Sequence, residues 1–180
     1  MMYRRIIFII FIFFNLNIFS QQLPQPKNDQ LYTEFISSRY ASYLKKPLIG
    51  SGYIAKDGKD KFIFKQIKPV NLEIKKMNNK VTYKRGTSDP VEISNVDNEL
   101  FFLFDDPEKT GQFYNIDKKV VNKKDNYYLA PKDKQNISRI IIIGIEDIIE
   151  RIEIYFSDNS KIIYDFKNTV TGKKPDEKYF

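Results

Sequence analysis

The chain has 180 residues, a formal net charge of +7, and neither cysteine nor histidine. These absences exclude disulfides, thiolate nucleophiles, zinc–thiolate sites and every triad or metal centre built on imidazole. The basic charge is mostly lysine, spread along the chain and alternating with apolar residues, as on the wet face of a sheet rather than in a nucleic-acid stripe.

Arg4 and Arg5 precede an apolar run over residues 6–14, and Ser20 stands before a polar pair, Gln21-Gln22. A basic start, a short apolar stretch and a small residue at its end read as a secretory signal over residues 1–20. The run is short for a spanning helix, which takes about 20 apolar residues. With no cysteine at the cleavage site, the mature chain is expected to be exported without its own lipid. Residues 21–180 then form one domain, long enough to bury a substantial core.

Residues 23–26 read as an extended leader. Residues 27–38 fit a helix with Leu31, Phe35 and Ile36 on one stripe, capped by Asn28 or Asp29. Thereafter the period falls from 3.6 to 2. Strands are expected at 39–45, 48–55, 61–68, 72–75, 80–85 and 90–94, with Asp57-Gly58, Asn78-Asn79 and residues 86–89 supplying turns. Residues 97–104 interrupt the pattern as a short helix, ended by Asp105-Asp106-Pro107. Five more strands follow, at 112–117, 126–130, 138–143, 150–156 and 161–166. The last two form a hairpin about residues 157–160. The fold class is therefore mainly β (α+β), with about eleven strands and two helices, arranged as a meander, a barrel or a sandwich.

Alternation places Phe62 with Phe64, Leu72 with Ile74, Val81 with Tyr83, and Ile152 with Ile154 and Phe156, each set on one strand face. Any packed β core alternates in this way. The central helix is more informative. Phe101, Phe102, Leu103 and Phe104 are consecutive and exceed what one helix face buries against one sheet. This helix is either sandwiched or plugs a cavity. Asp105, Asp106 and Glu108 lack the spacing of a calcium loop, so no metal site is expected. No spacing suggests a carboxylate pair or a Ser–Lys dyad, and the protein is read as not an enzyme, with no cofactor.

The order of several segments resembles the LolA-like family of periplasmic lipoprotein carriers. They are Ala41-Ser42-Tyr43; Gly52-Tyr53-Ile54 leading to Phe62-Ile63-Phe64 and Pro69; Asn79-Lys80-Val81-Thr82-Tyr83; Leu129-Ala130-Pro131-Lys132; and the late hairpin ending Phe166-Lys167-Asn168. The resemblance covers nearly all of the mature chain. It implies an incomplete antiparallel β-barrel with helices forming a lid over an apolar cavity. On that reading Phe62, Phe64, Leu72, Ile74, Val81, Tyr83, Ile152, Ile154 and Phe156 line the cavity, and Phe101, Phe102, Leu103 and Phe104 form the lid.

The implied partners are acylated lipoproteins, an inner-membrane lipoprotein-releasing transporter and an outer-membrane acceptor of unknown identity. The carrier itself would be a periplasmic monomer that binds no nucleic acid. Two departures qualify the likeness. The family's basic turn carries an arginine that pairs with the lid, whereas Lys56-Asp57-Gly58-Lys59 stands here and passes closure to Lys56 or Lys59. The family's further C-terminal strand has no counterpart after Phe180, which is expected to leave one barrel edge shorter. A non-shuttling envelope module that binds lipid or protein is the alternative reading of the same features.

Overall fold

The computed structural model describes residues 23–25, 27–94, 99–133 and 136–180. The proposed signal in residues 1–20 lies outside them. A 3-10 turn at Lys27–Asp29 opens into eleven strands. The first six are β1 (Gln30–Tyr40), β2 (Leu48–Asp57), β3 (Lys61–Lys68), β4 (Leu72–Met77), β5 (Lys80–Arg85) and β6 (Val91–Glu92). Two short helices follow, α1 (Glu99–Asp105) and α2 (Thr110–Phe113), separated by a 3-10 turn at Pro107–Lys109. The remaining strands are β7 (Tyr114–Val121), β8 (Lys124–Pro131), β9 (Ile137–Ile145), β10 (Ile148–Phe156) and β11 (Lys161–Thr171).

All eleven strands form one antiparallel sheet in the order β6-β5-β4-β3-β2-β1-β11-β10-β9-β8-β7. The sheet does not close, since β6 and β7 are its edges. The result is an incomplete barrel, as expected, made of two sequential meanders joined by the β1–β11 seam. One face of nearly every strand buries apolar side chains in a single cluster, from Phe62 and Ile74 through Phe35 to Ile152, Ile140 and Leu129.

The helix expected at 27–38 is not formed. Leu31 and Phe35, four apart, satisfy a helical stripe and a strand face equally, and β1 takes the second option. Leu31, Thr33, Phe35 and Ser37 are buried on one face, with Thr33 Oγ1 paired to Thr169 Oγ1 at 2.7 Å. The β-forming Tyr32-Thr33 pair and two flanking partner strands decide the matter. The strand expected at 39–45 is likewise displaced, because β1 ends at Tyr40 and residues 41–47 form the turn into β2. Ala41-Ser42-Tyr43 thus lies in a hairpin loop. Residues 112–113 belong to α2, so β7 starts at Tyr114. The leader at Leu23-Pro24 is buried.

Gly52 sets the curvature of the sheet at β2. A β-carbon there would lie 1.9 Å from the Lys65 carbonyl oxygen and 2.7 Å from the Phe35 ring. The pairing of β2 with β3 shifts register at the same point, between Ser51 and Gly52. Only a residue without a side chain allows β3 and the Phe35 ring to close so tightly there.

Candidate functional site: a helix latched over the concave face

The nine residues expected to line a cavity all fall in the one apolar cluster. Phe62, Phe64, Ile74, Ile152 and Ile154 are buried, while Leu72, Val81, Tyr83 and Phe156 are half-buried and packed against them. Strand β1, which the sequence reading had assigned to a helix, adds Leu31 and Phe35 to this face. The Phe35 ring stacks on Phe64 at 5.3 Å and meets Tyr164 edge-on at 5.5 Å.

Helix α1 lies over this surface and inserts Leu100, Phe101, Leu103 and Phe104, all buried. Phe101 meets Phe62 edge-on at 4.9 Å, and Phe104 meets Phe166 at 5.6 Å. Phe102 points elsewhere: it is half-buried and packs on Phe113 of α2 at 5.2 Å. Four side chains of one short helix thus reach the sheet, and Leu100 joins three of the four residues expected to form the lid. Beside Phe104, Leu31, Pro24, Thr33, Asp147, Ile149 and Thr169 line a partly open void of about 10 Å³, room for about one water.

The C-terminal end of α1 is held by a buried lysine. The last carbonyls of a helix have no partner within it. Lys56 Nζ donates to the carbonyl oxygens of Phe104 and Asp105, each at 2.9 Å, and pairs with Asp29 Oδ1 at 2.6 Å. Lys56 is 1% exposed, and its cross-strand neighbours are Leu31 and Phe62. A buried ammonium among apolar side chains is stable only when its donors are satisfied. Here the helix end and one carboxylate satisfy them. From β4, Lys76 Nζ donates to both carboxylate oxygens of Asp105, at 2.9 and 2.8 Å.

The sequence signal for Lys56 was its parity. It is two residues after Ile54 on an inward-facing run, so a strand continuing to Asp57 turns it into the core. Of the two lysines named for closure, Lys56 makes the contact, while Lys59 lines a neighbouring polar pocket of about 180 Å³ with Asp29, Lys76 and Asp105.

The residues after α1 carry their own polar contacts. Partial burial pushes the Asp106 carboxyl up, but the hydrogen bond and charge of Lys109 outweigh it and hold it below the usual carboxylate range. On the convex side of the sheet, a 3-10 turn at Glu177–Tyr179 packs Tyr179 on Tyr32 at 4.4 Å and on Tyr53 at 5.4 Å. Tyr53 Oη donates to the Tyr179 carbonyl oxygen, Lys61 bonds Glu177, and Lys75 bonds the Phe180 oxygen. Burial raises both the Tyr32 and the Tyr53 hydroxyl above the usual phenol range. Nothing in the sequence pattern singled out this aromatic clasp. Among the described residues no cluster of carboxylates is placed to hold a metal ion, and no helix is long and apolar enough to cross a membrane.

An open antiparallel barrel whose apolar concave face is covered by an internal helix defines a binding fold. A family model for outer membrane lipoprotein carrier protein LolA matches residues 75–180, more than half of the chain. The chain belongs to the LolA family of outer membrane lipoprotein carriers, a family of carriers rather than enzymes. Among solved structures it is similar to a LolA superfamily protein from Nitrosomonas europaea, with 9% identity and a TM-score of 0.51, over 87% of this chain and 94% of that one. It is also similar to a chain of the Pseudomonas aeruginosa MucA/MucB complex, with 13% identity and a TM-score of 0.50, over 83% of this chain and 54% of that one. A DUF1329 family protein from Desulfovibrio piger gives 16% identity and a TM-score of 0.49, over 85% and 90%. The first two likenesses speak to the fold alone. No curated protein matches the chain in sequence.

Proposed function

We propose that this protein is a periplasmic carrier that takes acyl chains of lipoproteins against the concave face of its sheet and shuttles them from the inner to the outer membrane. The observation that carries this reading is α1, an internal apolar ligand held by a removable polar latch. Its buried Phe101 and Phe104 occupy the surface that acyl chains would take.

The magnitudes support exchange. Burying four large apolar side chains is worth about 1.5–3 kcal/mol each, so the cover amounts to about 6–12 kcal/mol. An acyl chain gains about 0.8 kcal/mol per buried methylene, or roughly 12 kcal/mol for a chain of about 16 carbons. One chain offsets displacement of the helix, and further chains make loading favourable. When the cargo leaves, α1 returns and spares the apolar face from water. Catalysis has no part in this cycle. The donor would be an inner-membrane lipoprotein-releasing transporter, and the acceptor a component of the outer membrane.

The test is release. The exported protein is added to spheroplasts carrying a labelled lipoprotein and an active exporter. A soluble one-to-one complex is the expected result. No release by the folded protein would instead favour a non-shuttling envelope module that binds lipid or protein.

A further inference from the structure

The end of the sheet remote from the latch carries a second apolar surface, in segments that hold lysine and arginine but no acidic residue. In and beside the β1–β2 hairpin, Tyr43 is 71% exposed, Ile49 55%, Ile67 52% and Leu48 46%. Leu48 and Ile49 leave opposite faces of β2 at this end, opposite Arg39 and Ser38, and Gly50 lies against the Lys68 carbonyl and the Pro69 ring. On the convex side the patch runs into a groove of about 440 Å³ between Ile36, Ile67, Tyr53 and Lys167, whose far end holds Glu34.

Some lysines sit in ion pairs, as Lys61 with Glu177, Lys65 with Glu73, Lys118 with Asp125 and Lys124 with Glu150; what sets this end apart is that its cations have no acidic residue beside them in sequence. Lys45, Lys46 and Lys68 have no ion-pair partner among the described residues, and residues 36–51 and 66–70 contain no aspartate or glutamate. Asp158, in the adjacent β10–β11 turn, lies in the field of Arg39.

We propose that the β1–β2 hairpin tip is a docking surface for anionic lipid bilayers. Tyrosine and aliphatic side chains suit the headgroup boundary, and lysine stems lie along apolar surface while their ammonium groups reach lipid phosphates. A protein-binding patch is typically depleted in lysine, whereas an anionic leaflet attracts each unpaired lysine, by about fivefold in affinity. The surface is about 27 Å from Lys56, eight residues back along β2 at about 3.4 Å each. Docking therefore leaves α1 uncovered, and the inference does not rest on the carrier reading.

Flotation with vesicles of phosphatidylglycerol or of phosphatidylcholine tests it. The protein is taken as it accumulates in the cell, with its N-terminus fixed by mass spectrometry. Binding to phosphatidylglycerol vesicles at low salt is expected, with little to phosphatidylcholine. Lys45→Gln with Lys46→Gln should weaken it about 30-fold, and Tyr43→Ser with Ile49→Ser should abolish it, both with unchanged thermal unfolding. No binding, equal binding to both vesicle types, or binding that neither variant alters would overturn the proposal.

Discussion

Lys56→Met removes the ammonium from beneath α1 and keeps an unbranched side chain of similar length. Two hydrogen bonds from a charged donor to carbonyls are lost, each at 2.9 Å and each worth about 1.5–3 kcal/mol. The ion pair to Asp29 is lost too, but that carboxylate is 34% exposed, so water takes over part of the contact. Against these losses stands relief of the cost of burying the ammonium, which amounts to several kcal/mol. The balance is a loss of at most about 3 kcal/mol, or up to about two decades in an equilibrium constant. If α1 opens as a unit, its amides should exchange hydrogen up to about 100-fold faster while β1, β2 and β11 stay protected. If α1 opens only with the whole fold, Tm should instead fall by at most about 6–12 °C. Lys56→Arg, which keeps a cation, should lose less. Unchanged exchange in α1 with an unchanged or higher Tm would refute the latch, and would mean that apolar packing alone holds the helix.

Three other outcomes follow from the packing. Phe104→Ala, at a ring that is 4% exposed and packed on Phe166, should cost about 3–5 kcal/mol by denaturant unfolding and should raise uptake of a fluorescent fatty acid. Gly52→Ala should prevent folding or cost several kcal/mol, visible as lost β-sheet circular dichroism, because the added methyl meets the Lys65 backbone. The third concerns pH. Hydrogen bonds from Lys174 and Lys61 hold the Glu177 carboxyl below its usual range, and the Lys178 amide and ammonium do the same for Asp176. Groups lowered in the fold stabilise it above their unfolded pKa and lose that contribution as pH falls through the lowered value. The turn at Glu177–Tyr179 should thus stay docked at neutral pH and loosen below about pH 4, seen as faster proteolysis at Lys178.

The strands were legible because Phe62-Ile-Phe64, Ile152-Glu-Ile154 and their like alternate against clear turn residues. Helix α1 was legible because Asp105-Asp106-Pro107 ends an apolar run too dense for one strand face. What escaped was degenerate at the level of local pattern. A spacing of four, as between Leu31 and Phe35, is common to helix and strand, and the choice was made by β2 and β11, which flank β1 from far along the chain. Lys56 is named for closure by its place in the turn, but its burial follows from β2 running on to Asp57. The clasp of Tyr32, Tyr53 and Tyr179 joins three distant segments, and no periodicity links them. Phe102 reads like its neighbours in sequence, yet packs on α2 because one short helix cannot direct four consecutive side chains inward.

The seam between β1 and β11 has a consequence for how the molecule is made. Thr33 on β1 bonds the Lys167 carbonyl, 134 residues downstream. The six strands up to Glu92 can pair in succession as they emerge, but β1 keeps one edge bare until nearly the whole chain has been synthesised. Contacts this distant in sequence go with folding in milliseconds to seconds. Throughout that interval half a sheet with an unfilled apolar face is on offer to other chains. A chain of this topology gains from any factor that holds it open until its last strand is available.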